Sequence, residues 1–328
     1  MTALTADRYT VAWLCALPES EQVAARLVLD ERHEDPPRDF DDENSYFFGS
    51  MGGHNIVIAC LPPAQPGLVS ASRLVVPMSR SFPNLKIYLF VGIGGGVPHS
   101  PPCENAEDDI HLGDVVVGYS EAIGAPAVVQ WDFGRRLEGD NYENTSNLNK
   151  PDRRLLSALG SIVTNHECGD TKFDDHLSKI MSKNSKFAHP GLHNDKLFKA
   201  TYCHGDAKNC ADCDTHQLVP RPERDSTNLV YHRSTIVSGN SVMKNGMERD
   251  KISKMSYDAR CFEMEAAGVI DDTRCLVIRG IADYADGHKN WLWHKYAAAA
   301  AAAFGKEFLL TLKPVVLESL RPKVPQLG

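Results

Sequence analysis

The chain has 328 residues, 42% hydrophobic and 24% charged, with a formal net charge of -8. That length supports one large or two modest domains around a sizeable core, and the acidic balance argues against nucleic acid or an anionic membrane as a partner. No apolar run approaches the roughly 20 residues that span a bilayer, MTALTADRY is too polar for a secretory leader, and the scattered cysteines, odd in number and several inside apolar runs, read as reduced thiols of a cytoplasmic protein.

Residues 9–17 (YTVAWLCAL) have the near-continuous apolar pattern of a strand buried on both faces, ended by Pro18. Glu19, Ser20 and Glu21 then open a helix carrying Val23, Ala24, Ala25, Leu27 and Val28. The helix dipole alone accounts for acids in a first turn; the other reading turns one of them into the crevice beyond the first strand. Residues 32–44 are charged and proline-bearing, a loop. Residues 46–51 and 55–61 read as a hairpin joined by Gly52-Gly53, and 67–80 has a helical pattern. Residues 86–93 (KIYLFVGI) form a strong strand that runs into Gly92-Ile93-Gly94-Gly95-Gly96. Glycines after a strand let backbone approach a ligand, or simply make a tight turn. The dinucleotide fingerprint is absent, and Pro98, Pro101 and Pro102 prevent a helix.

Residues 111–119 and 127–133 are further strands. Trp131 and Phe133 read as core at strand spacing, although such rings can also stack on a flat ligand. Residues 140–228 are polar, with two helices near 152–164 and 174–183, and read as an insertion or lid. Within them stand Cys203-His204, then Cys210-x-x-Cys213 and His216, donors suited to zinc. With no second C-x-x-C, loop thiols are the preferred reading and no metal site is assigned. Residues 235–240 form a strand and 242–246 a turn.

The organising stretch is 261–286, CFEMEAAGVIDDTRCLVIRGIADYAD. Glu263, Met264 and Glu265 precede a small-residue helix at 266–272. Residues 275–281 read as a buried strand, and Asp283 sits just past its end. Ligands of α/β proteins gather at the carboxyl ends of strands, so these acids are expected to face one pocket. Residues 291–312 are a helix whose alanines at 297–303 favour close packing; from 314 the tail reads as loose. The fold class is α/β: a single three-layer α/β/α domain over 1–328 with a central mixed sheet.

ALPESEQVAA, FVGIGGGVP, SGNSVM, FEMEAAG and VIRGIADYADGHKN together resemble the purine nucleoside phosphorylase and methylthioadenosine nucleosidase superfamily, closest to its fungal nucleosidase-like branch. The resemblance covers residues 8–312 apart from the insertion. It implies a partly barrel-like sheet, a small-molecule purine nucleoside as ligand, no cofactor, and a homo-oligomer. It also implies that Glu265 holds the ribose 2′- and 3′-hydroxyls with Met264 packed on the sugar, and that Glu263 orders water nearby. Asp283 would protonate N7 of the leaving purine, which requires a pKa raised by burial or neighbours. Gly94 and Gly95 would offer backbone N–H groups near the sugar, and Val242 and Met243 would line the base.

The loop at 18–21 has no arginine to hold phosphate. The resemblance therefore points to a glutamate that activates water: Glu21 if aligned through Gln22-Val23-Ala24-Ala25, Glu19 if aligned from Ala16-Leu17-Pro18. Glu21 is taken here. Two positions depart from the pattern. Ile93 stands where the nucleosidases often carry a serine, and Val242 where they place an aromatic, so that Trp131, Phe133 or an insertion residue would supply the ring. The expected reaction is hydrolysis of an adenosine-like ribonucleoside to base and ribose. The alternatives are a phosphorylase using Arg135 or Arg233, a methylthioadenosine nucleosidase, and a nucleoside-sensing module without turnover.

Overall fold

The computed structural model describes residues 4–37, 42–139, 142–205 and 210–312. Strands β1 (Val11–Cys15), β2 (Glu31–Arg32), β3 (Tyr46–Met51), β4 (His54–Cys60) and β5 (Ile87–Gly96) come first. They are followed by β6 (Val115–Gly118), β7 (Val128–Gln130), β8 (Gly134–Arg136) and β9 (Tyr142–Asn144). β10 (Tyr231–Ser234), β11 (Ile236–Ser238), β12 (Cys261–Glu263) and β13 (Leu276–Asp283) complete them. The helices are α1 (Val23–Leu27), α2 (Leu68–Ser81), α3 (Arg153–Glu167), α4 (Phe173–Lys183), α5 (Gly246–Met255), α6 (Ile270–Thr273) and α7 (His294–Thr311).

The strongest apolar runs become the middle of an 11-stranded mixed sheet flanked by helices. Its order is β10-β6-β13-β5-β1-β4-β3-β2, with β12, β11 and β7 attached through β5. β4, β1, β5 and β13 are mutually parallel. Every residue of β1 and β13 is buried, which is why their sequences do not alternate. The hairpin from β3 to β4 turns through Gly52 and Gly53, at φ +56° and +83°, a backbone that glycine adopts freely.

β5 is longer than its sequence pattern. The glycines read as a loop after the strand continue the ladder to Gly96. Gly94 and Gly95 pair with Ile281 and Asp283 of β13, while Gly95 and Gly96 pair antiparallel with β12. The sheet forks here because there is no room for side chains. A Cβ on Gly94 would lie 2.4 Å from Cys261 Sγ, and one on Gly95 would lie 2.8 Å from Asp283 Oδ1.

α7 lies across β13 and β5 with Ala297 to Ala303 fully buried. The approach is close enough that a Cβ on Gly280 would meet the Ala297 carbonyl oxygen at 1.9 Å. α3 and α4 pack on α7, with Phe173 stacked on Phe304 at 5.3 Å between ring centroids. Leu155, Ile162, Leu177 and Ile180 join the main core. Residues 153–183 of the expected insertion are thus part of the helical layer rather than a lid. The turn expected at 242–246 leads directly into α5, which begins at Gly246. Its N-terminus is capped by Asn245, whose side chain accepts from the Met247 and Glu248 N–H groups. The expected tail from 314 lies outside the described residues. No helix among those described is long and apolar enough to cross a membrane.

Candidate active site

Four charged groups converge where β1, β5, β12 and β13 meet. Glu21 follows the first strand in a tight turn of π-helical geometry, Pro18–Gln22. Its carboxylate is buried and accepts from three backbone N–H groups: Ala16 at 2.6 Å, Leu17 at 3.0 Å and Ile93 at 2.8 Å. Burial pushes the pKa of Glu21 up, against the opposing pull of Arg279 and these N–H donors. Glu19, the other acid of that turn, is exposed. Ile93, which stands in the place of a serine, serves Glu21 through its backbone.

Arg279 is the residue that sequence reasoning missed. It sits in the middle of β13 with no solvent exposure. Its Nη2 donates to Glu263 Oε2 at 2.5 Å and stands 4.0 Å from Glu265 Oε2, and its guanidinium lies 4.4 Å over the Phe90 ring. Its space is made by Gly92, where a Cβ would fall 2.3 Å from Arg279 Nη1 and 2.5 Å from Glu21 Oε1. The guanidinium is held firmly protonated by Glu263, Glu21 and Glu265 despite burial. The available signal was an arginine inside an otherwise apolar run, a position that burial disfavours unless the charge is paired.

Glu263 also accepts from the Glu265 and Ala266 N–H groups, fixing the first turn of the short helix that follows β12. That helix is broken: a 3-10 turn, Ala266–Gly268, precedes α6. Glu265 Oε1 accepts from Gly67 N at 3.2 Å. Burial, then repulsion by Glu263, pushes the pKa of Glu265 up to about 7. Met264 beside them is half-buried.

Asp283 ends β13, within the strand rather than past it. Oδ1 accepts from Ala285 N at 2.8 Å, and Oδ2 is paired with Lys289 Nζ at 3.1 Å. Both residues line a cavity of about 660 Å³ whose walls include Phe198, Asp286, His288 and Trp291. Burial pushes the Asp286 carboxyl up. Glu21, Glu263 and Glu265 do not line this cavity. The single pocket expected for all the acids is therefore divided in this structure. The carboxylates close around Arg279, and residues 67–68 reach only Glu265 among them, through Gly67 N–H, with Leu68 N donating to Asn240 Oδ1 at 3.2 Å.

The other expected site residues fall as follows. Gly94 and Gly95 are ladder residues packed against Cys261 and Asp283. Met243 is buried with Val97, Phe262 and Ala285, and Trp131 packs against that cluster, whereas Val242 is half-exposed. Trp131 lies past the end of β7 and Phe133 is 56% exposed, so neither is a strand-core residue. Arg135 is an exposed partner of Glu143, and Arg233 pairs with Glu121; neither reaches the carboxylates. His204, Cys210 and Cys213 do come together, joined by His288, while Cys203 and His216 stay outside.

No family model matches the chain. The structure is similar to that of 5′-methylthioadenosine/S-adenosylhomocysteine nucleosidase from Neisseria meningitidis, solved with methylthio-immucillin-A. The TM-score is 0.58 at 17% identity, covering 92% of this chain and 99% of that one. The S. pneumoniae nucleosidase of the same name matches with a TM-score of 0.55 at 16% identity, covering 93% and 100% of the two chains. Futalosine hydrolase of Helicobacter pylori matches with 0.53 at 16% identity, covering 93% and 98%. The chain has the fold of the nucleoside phosphorylase and nucleosidase superfamily. A curated relative is the nucleotide-binding leucine-rich repeat (NLR)-like protein of Hyaloscypha variabilis, 37% identical over 328 residues; the match covers 97% of this chain and only 31% of that protein.

Proposed function

We propose that the chain is a nucleosidase that hydrolyses the N-glycosidic bond of an adenosine-like purine ribonucleoside to free base and ribose. The observation that carries this reading is Glu21: an inward, buried carboxylate on three backbone N–H groups, with its basicity raised and an arginine facing it. The fold neighbours named as nucleosidases support it.

Breaking this bond leaves an oxocarbenium-like ribose and a purine anion, so the base must be protonated and the sugar surrounded by negative charge. Asp283, in its protonated form, is the acid at N7, and the Lys289 ammonium in contact stabilises the carboxylate left once that proton has gone to the base. Glu265 holds the ribose hydroxyls, which displace its contact with Gly67 N–H, and Met264 packs on the sugar. Val242 and Met243 flank the base, and Gly94 and Gly95 let the strand backbone approach the sugar. Glu263, locked by Arg279, orders the nucleophilic water, and Glu21 takes its proton. Arg279 is a positioning residue. Its charge is already matched by carboxylates, and three acids around it would repel a phosphate dianion. A single catalytic domain acting as a cytoplasmic homo-oligomer belongs to the same reading.

The second reading is a nucleoside-sensing module. It is favoured by the buried carboxylates and by the NLR-like name of the longer relative. Chromatography of a nucleoside panel with and without phosphate separates these. Base plus ribose in phosphate-free buffer is the expected result. Ribose 1-phosphate formed only with phosphate would establish a phosphorylase, and adenosine binding with no product in either buffer would establish the sensor.

A further inference from the structure

The strongest unassigned cluster lies on the far wall of the cavity. His204, Cys210 and Cys213 come from the segment expected to be an insertion, and His288 from the turn that follows β13. One ligand atom from each lies within 4.8 Å of all the others. Both cysteines are free thiols, and each Sγ stands 3.7 Å from His288 Nδ1.

We propose that these four side chains form a structural zinc site. A tetrahedral zinc with Zn–S of about 2.3 Å and Zn–N of about 2.0–2.1 Å holds its donors roughly 3.3–3.8 Å apart. The two sulfur-to-nitrogen distances already fall in that range. His204 Nε2 is buried and has no hydrogen-bond partner among the described residues, which is an orphan that a metal would satisfy. His288 Nε2 is 3.2 Å from the Tyr202 carbonyl oxygen, so this nitrogen donates and Nδ1 presents its lone pair toward the thiols. Phe198 stacks on the same ring at 4.1 Å between centroids, fixing its plane. Two thiolates and two imidazoles suit zinc rather than magnesium or calcium. Four protein donors leave no open position for substrate, so the role is structural.

The placement says what the metal would hold. Cys210 and His288 line the cavity, and the residue after His288 is Lys289, the partner of Asp283. Zinc would fasten His204, Cys210 and Cys213 to the turn beyond β13 and so set one wall of the cavity. The proposal does not depend on which reaction the cavity serves.

The test is the metal content of the full 328-residue chain, purified without chelator or added zinc and measured by mass spectrometry. About one zinc per chain is expected, lost in Cys210→Ser/Cys213→Ser and in His288→Ala but retained in Cys203→Ser and His216→Ala. Should the ligand variants fail to fold, the wild-type chain stripped with chelator and titrated with Co²⁺ gives an independent reading. Thiolate-to-cobalt charge-transfer bands with tetrahedral ligand-field bands support the site. Wild-type chain that retains no zinc after Zn²⁺ incubation and desalting, a cobalt spectrum without thiolate bands, or a Cys210–Cys213 disulfide in the metal-free protein as isolated would overturn it.

Discussion

Arg279 and Glu263 meet at 2.5 Å with their side chains 0% and 1% exposed, so the strand that carries the candidate acid is built around an ion pair in the core. Removing one member of such a pair strands a buried charge and costs about 3–5 kcal/mol, whereas replacing both by uncharged groups costs far less. Arg279→Met should therefore lower the urea midpoint markedly, and Arg279→Met/Glu263→Gln should recover part of the loss. Equal midpoints for the two variants would show that the charge pairing contributes nothing to stability.

The two acids after β1 separate cleanly by burial. Glu19 is exposed and Glu21 is 3% exposed. If hydrolysis runs through Glu21, Glu19→Gln should leave turnover within about threefold of wild type, while Glu21→Gln should lower kcat by roughly 10² to 10⁴. Steady-state kinetics beside thermal melts of both variants make the comparison. An unchanged kcat in Glu21→Gln removes Glu21 from the mechanism.

Glu265 should leave a mark on stability as well as on binding. Its folded pKa of about 7 lies above the usual glutamate value, so the folded state holds this proton more tightly than the unfolded chain. Stability from this group is full below the unfolded value near 4.5, and is lost as pH rises through about 7. Melting temperature followed from pH 5 to 8 should thus fall more steeply in wild type than in Glu265→Gln, which cannot titrate. Parallel profiles would place the raised pKa elsewhere.

Two glycines predict opposite outcomes for one substitution. At Gly280 a methyl group would lie 1.9 Å from the Ala297 carbonyl, so Gly280→Ala must push α7 off β13 and should cost at least the 1–3 kcal/mol typical of overpacking. At Gly160, exposed within α3, a Cβ meets nothing within 4 Å. Gly160→Ala should be neutral or stabilise by about 0.5–1 kcal/mol through helix propensity. Chemical denaturation of both variants decides it.

The contrast between these residues and Arg279 shows what sequence can and cannot express. The β3–β4 hairpin, the parallel core strands and the alanine-rich α7 follow from local pattern: two glycines at the turn, unbroken apolar runs, and small side chains in series. Glu21, Glu263, Glu265 and Asp283 are visible as acids beside strand ends. The closure of Glu21, Glu263 and Glu265 around Arg279 is not, because the guanidinium is matched by groups on two other segments far from it in sequence. The metal donors show the same limit from the other side. Spacing suggests His216, three residues beyond Cys213, whereas the imidazole beside Cys213 is His288, 75 residues away. The extent of β5 was hidden because glycines that pair on both edges look like glycines that turn.

The cavity walls and the buried carboxylates belong to different kinds of chain. Glu263 and Asp283 end strands whose register is fixed by ladders on both sides, and the acids meet the cavity at Asp283, the last residue of β13. Asn194, Lys196, Phe198, Cys210 and Ala211 line the opposite wall, and between 184 and 230 the described ladder pairing is one isolated bridge, Phe198 with Leu218. A lineage can lengthen, shorten or rewrite that wall without shifting a single strand. Ligand choice in such a molecule is free to drift while its chemistry stands still.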